Sequence, residues 1–365
     1  MREPSLLYIF TDQQRADTMR CYGNEHIGVP HLNGLADEGF VFEHAYVSQP
    51  VCSPSRATML AGLWPHSSGV PACNVPLPAD VTTFAEHLPD TYSTAYMGKW
   101  HLGDEIFPQH GFQAWVGSED AYRHSYSSPE LLGELSPYHH FLRDCGLTPD
   151  SDNRGERVFS RHLAASLDEE RTKASFLGDR AAEFIRRQGD RPFALCVSFL
   201  EPHPPHTGPL NALYDPSSLP TGPAFMRPPP PNAPLITRLM AAYYLASEDY
   251  GLDLRTDEGW RGLMARYWGN VTLVDRAVGM ILQALQESGQ ADDTIVVFTS
   301  DHGEQMGDHG ILGKTVMYEE SIKVPLVIRA PMLSKAPRRI VGNFSHIDLA
   351  PTLLDAMGLG VPAQM

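Results

Sequence analysis

The sequence predicts an α/β protein built on a mainly parallel central sheet with helices on both faces. Two observations carry this. Short apolar runs of strand length alternate with longer stretches that repeat apolar residues every three or four positions. Each apolar run also gives way at once to polar, ionisable residues, as happens where parallel strands end at a binding rim.

Residues 6–10 (Leu-Leu-Tyr-Ile-Phe) form the first buried strand, ending at Thr11-Asp12-Gln13. In residues 52–62, Ser53 is expected to cap a helix that starts at Pro54, with Cys52 just outside its amino end. Residues 94–97 make a weaker strand that stops at Gly98, and 193–199, 294–299 and 324–328 repeat the strand pattern. Residues 176–187 and 259–288 carry helical periodicity, the latter stopped by Gly289, and 348–357 form a last helix before Gly358. Residues 118–170 and 204–234 resist regular assignment. The first is polar and turn-rich, and the second contains Pro228-Pro229-Pro230-Pro231, which cannot be helical. Both read as loops near the rim, so residues 1–365 form one domain rather than the two that their length suggests.

The chain carries 28 basic and 44 acidic groups, a formal charge of −16, which argues against nucleic acid as a partner. At 42% hydrophobic residues a large core is within reach and wholesale disorder is excluded. Cys21, Cys52, Cys73, Cys145 and Cys196 are an odd count at irregular spacing, which is neither a disulfide framework nor a metal ribbon. The opening apolar run is too short for a signal peptide or a membrane span, so a cytoplasmic protein without a membrane partner is expected.

Four polar clusters follow four apolar runs: Asp12-Gln13, Lys99-Trp100-His101, Glu201-Pro202-His203 and Asp301-His302. A helix amino end near Cys52, with Arg56 one turn in, suits an anionic ligand or a nucleophile that becomes anionic. A lone cysteine before a helix is ordinarily a buried thiol. Here the spacing Cys-x-Pro-x-Arg over 52–56, with Leu60-Ala61-Gly62 beyond it, resembles the sulfatase signature; Ala61 stands where that family usually has Thr. Further segments are similar to the family in the same order. They are Asp12-Gln13-Gln14-Arg15, Gly98-Lys99-Trp100-His101-Leu102-Gly103, Glu201-Pro202-His203, Ser300-Asp301-His302-Gly303-Glu304 and Gly313-Lys314.

The resemblance implies an alkaline-phosphatase-like fold whose small antiparallel carboxy-terminal subdomain is missing or reduced here. It implies that a maturation enzyme converts Cys52 to formylglycine. It also implies one divalent metal held by Asp12, Gln13, Asp301, His302 and residue 52. Gln13 stands where many members have Asp and His302 where many have Asn. Oxygen ligands favour Ca²⁺ or Mg²⁺, calcium being preferred, and the His302 nitrogen brings Mn²⁺ into range. Residue 52 would be the nucleophile, with Arg56, Lys99 and Lys314 neutralising sulfate oxygens. His203 would protonate the departing alcohol, and His101 would take the proton that frees sulfate. The expected reaction is hydrolysis of an aryl, small alkyl or carbohydrate sulfate ester. The alternatives are a phosphonate monoester or phosphodiester hydrolase of the same formylglycine group, or an inactive sulfatase-like binding protein. His346 is expected to be structural, Asp308-His309 is either a substrate-pocket edge or a solvated loop, and Tyr122, Arg123, His124 and Tyr126 suit a sugar or aryl group but read as ordinary surface.

Overall fold

A computed structural model describes residues 3–152 and 154–365. Its strands are β1 (Ser5–Asp12), β2 (Phe40–Tyr46), β3 (Ser93–Gly98), β4 (Ala114–Gly117), β5 (Phe193–Pro202), β6 (Glu248–Asp249), β7 (Leu252–Asp253), β8 (Thr294–Ser300), β9 (Lys323–Val324), β10 (Leu326–Arg329) and β11 (Arg338–Ser345). The central sheet runs β11-β2-β10-β8-β1-β5-β3-β4, with β9 also on β2, while β6 and β7 form a separate hairpin. β8, β1, β5, β3 and β4 are mutually parallel neighbours, and β10 joins both β8 and β2 antiparallel.

Every residue of β1 is buried, because the strand has a partner on each edge and a packed layer on each face. Alternate residues serve the two layers. Leu7, Ile9, Leu195, Val197, Val296 and Phe298 join a core covered by the helices Lys173–Arg187 and Asp257–Glu287. Leu6, Tyr8, Phe10, Ala194, Cys196 and Ile295 face the opposite core, closed by the helices Cys52–Ala61 and Leu349–Ala356. Helices therefore cover both faces, as the alternating pattern predicts.

Three details depart from the expectation. The apolar run at 324–328 is two strands, because Pro325 offers no N–H and breaks the ladder, and both pieces pair antiparallel. The edge strands β4 and β11, and β2 next to β11, carry no clear apolar run and are only partly buried. Residues 118–170 hold two short α-helices, Pro137–Asp144 and Arg161–Ala165, and Tyr138 and Leu142 of that stretch enter the core. Residues 204–234 contain only the 3₁₀ turn Pro216–Ser218. Among the described residues no antiparallel carboxy-terminal sheet is present, and no helix is long and apolar enough to cross a membrane.

The topology brings the chemistry together. Strands β8, β1, β5 and β3 lie side by side and parallel, so Ser300, Asp12, Pro202 and Gly98 end on one rim, with the four polar clusters just beyond them.

Candidate active site

The helix Cys52–Ala61 points its amino end at this rim, and all ten of its residues are buried. Cys52 is its first residue and Val51 its cap, so Ser53 does not cap it as expected. Pro54 is tolerated there because the whole first turn lacks intrahelical N–H partners, which lets the helix start two residues early. Ser53 Oγ instead donates to the His101 carbonyl (2.8 Å) and accepts from Asn74 N (3.2 Å).

Cys52 Sγ sits at the centre of the rim. His302 Nε2 and Lys314 Nζ are each 3.2 Å away, and Asp12 Oδ1 is 3.7 Å away. Arg56, fully buried one turn along, donates Nε to Asp301 Oδ2 (2.8 Å) and a terminal nitrogen to Asp12 Oδ2 (3.0 Å). Its other terminal nitrogen donates to the Lys99 carbonyl (2.6 Å) and Ser198 Oγ (2.8 Å). Lys99 Nζ is hydrogen-bonded to Asp12 Oδ2. Gln13, at φ 72°, donates its backbone N–H to Asp301 Oδ1 (3.1 Å) and accepts from Lys314 Nζ through Oε1 (2.5 Å).

Charge in this dry cluster is strongly coupled. Burial and Cys52 push the Asp12 carboxyl up, but Lys99, His203 and Lys314 outweigh them and hold it well below its ordinary range. Burial, helped by Asp12, pushes Asp301 up to about 6. A hydrogen bond from Cys73 pulls the Cys52 thiol down; burial opposes it, Lys314, Lys99 and His302 add to it, and the result lies well below the ordinary value. Burial alone would lower Lys99, but Asp12 and Cys52 keep it well above its usual value.

His101 and His203 both contact the Cys52 thiol. Burial, with Lys99, takes His101 down to about 4, and burial, with Lys314, takes His203 down to about 3. The His203 Nδ1–H donates to the Pro204 carbonyl (2.8 Å), which leaves Nε2 for the site. His101 is held at φ 59°; its Nε2–H donates to Asn74 Oδ1 (2.8 Å), and its ring stacks on Tyr122 at 3.8 Å.

Sequence reasoning missed Cys73, Asn74 and Tyr122. Cys73 and Asn74 carry no spacing signal. Tyr122 lies in the loop read as ordinary surface, yet it is clamped between His101 and Arg161, which donates to its hydroxyl (2.7 Å). His346 stays outside the cluster as expected, against Thr299 Oγ1 (3.2 Å) and Ser55 Oγ (3.5 Å). Asp308, open by sequence to a pocket edge or a solvated loop, is buried and ion-paired to Arg15 (2.9 Å).

The donor set fits a divalent cation. The ligating atoms of Asp12, Cys52, Asp301 and His302 all lie within 4.8 Å of one another, and all four residues are buried. His302 donates Nδ1–H to the Gly303 carbonyl (3.0 Å), so the lone pair of Nε2 faces Asp12 Oδ1 (3.6 Å) and Asp301 Oδ1 (3.5 Å). That tautomer is the one a metal-ligating histidine adopts. Two buried carboxylates and an imidazole nitrogen form a hard to borderline site.

A parallel sheet that delivers two carboxylates, two lysines and three imidazoles to a buried cysteine at a helix start defines an enzyme of the alkaline-phosphatase superfamily. The chain belongs to the sulfatase family, whose sequence model matches residues 4–359. It is 30% identical to an uncharacterized sulfatase, YidJ, of Escherichia coli (strain K12), covering 97% of this chain and 68% of that protein. It is 28% identical to a choline-sulfatase of Rhizobium meliloti (strain 1021), covering 98% and 68%. Among solved structures, the phosphonate monoester hydrolase of Agrobacterium radiobacter superposes with a TM-score of 0.77 at 28% identity, over 98% of this chain and 74% of that one. The family carries a divalent metal and a formylglycine, and the Asp12, Cys52, Asp301 and His302 cluster is a site able to hold the metal.

Proposed function

We propose that this chain hydrolyses sulfate esters at the rim cluster. A maturation enzyme converts Cys52 to formylglycine, and one divalent cation, calcium, is held by Asp12, Gln13, Asp301, His302 and residue 52. The observation that carries the reading is the convergence of Lys314, His302, His101 and His203 on Cys52 beside Asp12 and Asp301. The Sγ position stands for the oxygen of the converted side chain. When bound, the cation supplies Lewis acidity and lowers the pKa of that oxygen nucleophile.

The chain's own groups supply the rest. Lys99 and Lys314 neutralise the sulfate oxygens as the ester bond breaks. Arg56, whose N–H groups are taken by Asp12, Asp301, Lys99 and Ser198, adds its charge from behind the two carboxylates. His203 is neutral before substrate arrives, because burial holds it at about 3. The negative ester raises that value, and His203 then gives its proton to the departing alkoxide. Neutral His101 accepts a proton in the step that releases sulfate, its ring fixed by Asn74 and Tyr122.

The whole of residues 1–365 acts as one catalytic unit in this reading. A cavity of about 400 Å³ opens beside His203, between Tyr122 and Arg161 of the 118–170 excursion and Tyr250. It can hold the alcohol portion of a small alkyl, aryl or carbohydrate sulfate. The similarity to a phosphonate monoester hydrolase supports a second reading, in which a phosphonate ester is cleaved by the same groups.

Four measurements test this. Peptide mass spectrometry should find residue 52 lighter by the exchange of thiol for aldehyde, and full activity with an intact cysteine would sink the mechanism. Asp301→Ala should lose both bound metal and turnover; retention of both removes Asp301 from the site. Elemental analysis of the active protein identifies the cation and decides calcium against magnesium or manganese. Assayed in parallel on an aryl sulfate and an aryl phosphonate monoester, the protein should favour the sulfate, and the opposite ratio selects the second reading.

A further inference from the structure

Gln13 poses a problem that a carboxylate in its place would not. Its amide has two chemically opposite ends: Oε1 can ligate a cation, whereas Nε2 carries two N–H donors and repels one. The site works only if something fixes which end faces the cluster.

Glu304 does this by geometry. It is fully buried, two residues beyond His302. One carboxyl oxygen accepts from Gln13 Nε2, and the other accepts from Met306 N (2.9 Å) and Gly313 N (2.5 Å). An ionised carboxylate is an acceptor only, so the Nε2 end of Gln13 is pinned to it. Oε1 is thereby turned the other way, where it meets Lys314 Nζ at 2.5 Å. Gly313 immediately precedes Lys314, so the same carboxylate holds the loop that delivers this ammonium to Cys52 Sγ at 3.2 Å.

We propose that Glu304 is the positioning residue that sets the polarity of Gln13, presenting its oxygen to the metal cluster while seating Lys314. This rests on the reading of Gln13 as a metal ligand. The ordinary alternative is a carboxylate that merely ties a loop, and an isosteric exchange separates the two. In E304Q the amide oxygen can still accept from Gly313 and Met306, so its NH₂ faces the NH₂ of Gln13. The Gln13 amide then turns over and aims donors at the cluster. In Q13E/E304Q the hydrogen bond returns with reversed direction, an oxygen again faces the cluster, and net charge equals that of the wild type. Q13E alone sets two carboxylates against each other.

The readout is Ca²⁺ affinity by titration calorimetry on the mature protein, with kcat/KM for an aryl sulfate alongside and thermal unfolding as the folding control. E304Q should bind Ca²⁺ roughly 10- to 100-fold more weakly, the usual scale for losing the partner that orients a metal ligand. Q13E/E304Q should bind better than either single variant and regain kcat/KM. Wild-type affinity in E304Q, or additive losses in the double variant, overturns the proposal. Q13A separates this inference from the reading beneath it. If Q13A keeps wild-type affinity, Gln13 is no ligand and the underlying reading falls. If Q13A loses affinity and E304Q does not, only the role of Glu304 falls. Should E304Q fail to fold, Q13E/E304Q carries the test: recovery of fold and affinity supports the proposal, and continued failure overturns it.

Discussion

Arg56 has no solvent exposure and directs four hydrogen bonds at Asp301, Asp12, Lys99 and Ser198. Only a planar fork with several fixed donors can serve acceptors in so many directions. Removing it leaves Asp12 and Asp301 buried with less compensation, and breaking a buried pair this way costs about 3–5 kcal/mol. Arg56→Met should therefore lose stability on that scale in urea unfolding of metal-free protein, along with nearly all turnover. A loss under about 1 kcal/mol would show that other groups already balance the carboxylates. Arg56→Lys should recover little, because an ammonium cannot span Asp301 and the Lys99 carbonyl together. The Cys-x-Pro-x-Arg spacing made Arg56 legible as a site residue, but its partners come from the ends of four distant strands and are visible only once the sheet is assembled. Tyr122 marks the limit of that legibility. Nothing in a polar, turn-rich stretch distinguishes a ring that stacks on His101 from one that faces water.

At the scale of elements, the decisive contact is the end of β3 against β5. Gly98 has φ 112°, and a Cβ there would lie 1.9 Å from the Ser198 carbonyl oxygen. Glycine is required both by the backbone conformation and by the close approach of the neighbouring strand. That approach lets Lys99 N donate to the Ser198 carbonyl (3.1 Å) and turns the Lys99 side chain into the site. Gly98→Ala must push backbone against backbone, so it should cost more than about 2 kcal/mol and lower kcat as Lys99 shifts. An alanine variant with wild-type stability and kcat would mean the strand ends tolerate separation. Strands buried on both faces, such as β1, β5 and β8, are legible as continuous apolar runs. β11 is not, because Val341 and its neighbours lie exposed at the sheet edge, where apolar patterning is not needed. The antiparallel sense of β10 was also hidden, since a short apolar strand carries no mark of direction.

Over the whole molecule, a net charge of −16 coexists with a site where Arg56 and Lys99 are fully buried and Lys314 is half-buried beside them, so the relevant field is local. The same separation governs the response to acid. Burial holds His206 at about 4 and His346 at about 3, so both stay neutral in the folded protein while the unfolded chain protonates near 6.5. Between pH 6.5 and those values the unfolded state binds more protons, and stability falls as pH falls. Glu105 at about 7 and Asp301 at about 6, both raised first by burial, act with the opposite sign, because the folded state takes up protons there first. The sum is thus a contest, but a difference between two proteins isolates one group. His346→Gln keeps a donor for Thr299 Oγ1 and removes the titration while leaving Glu105 and Asp301 in place. At pH 7.5 the variant should be the less stable protein, through lost packing. From pH 6.5 to 5 the wild type should lose roughly 1.6 kcal/mol that the variant keeps, a little less than 1.36 kcal/mol per pH unit because the unfolded imidazole is only half protonated at pH 6.5. Chemical unfolding of both proteins across that range measures the gap. A gap that stays constant with pH would mean His346 takes a proton in the folded state as readily as in the unfolded one. In that case its burial between Ser55 and Thr299 would not be what makes the fold sensitive to acid.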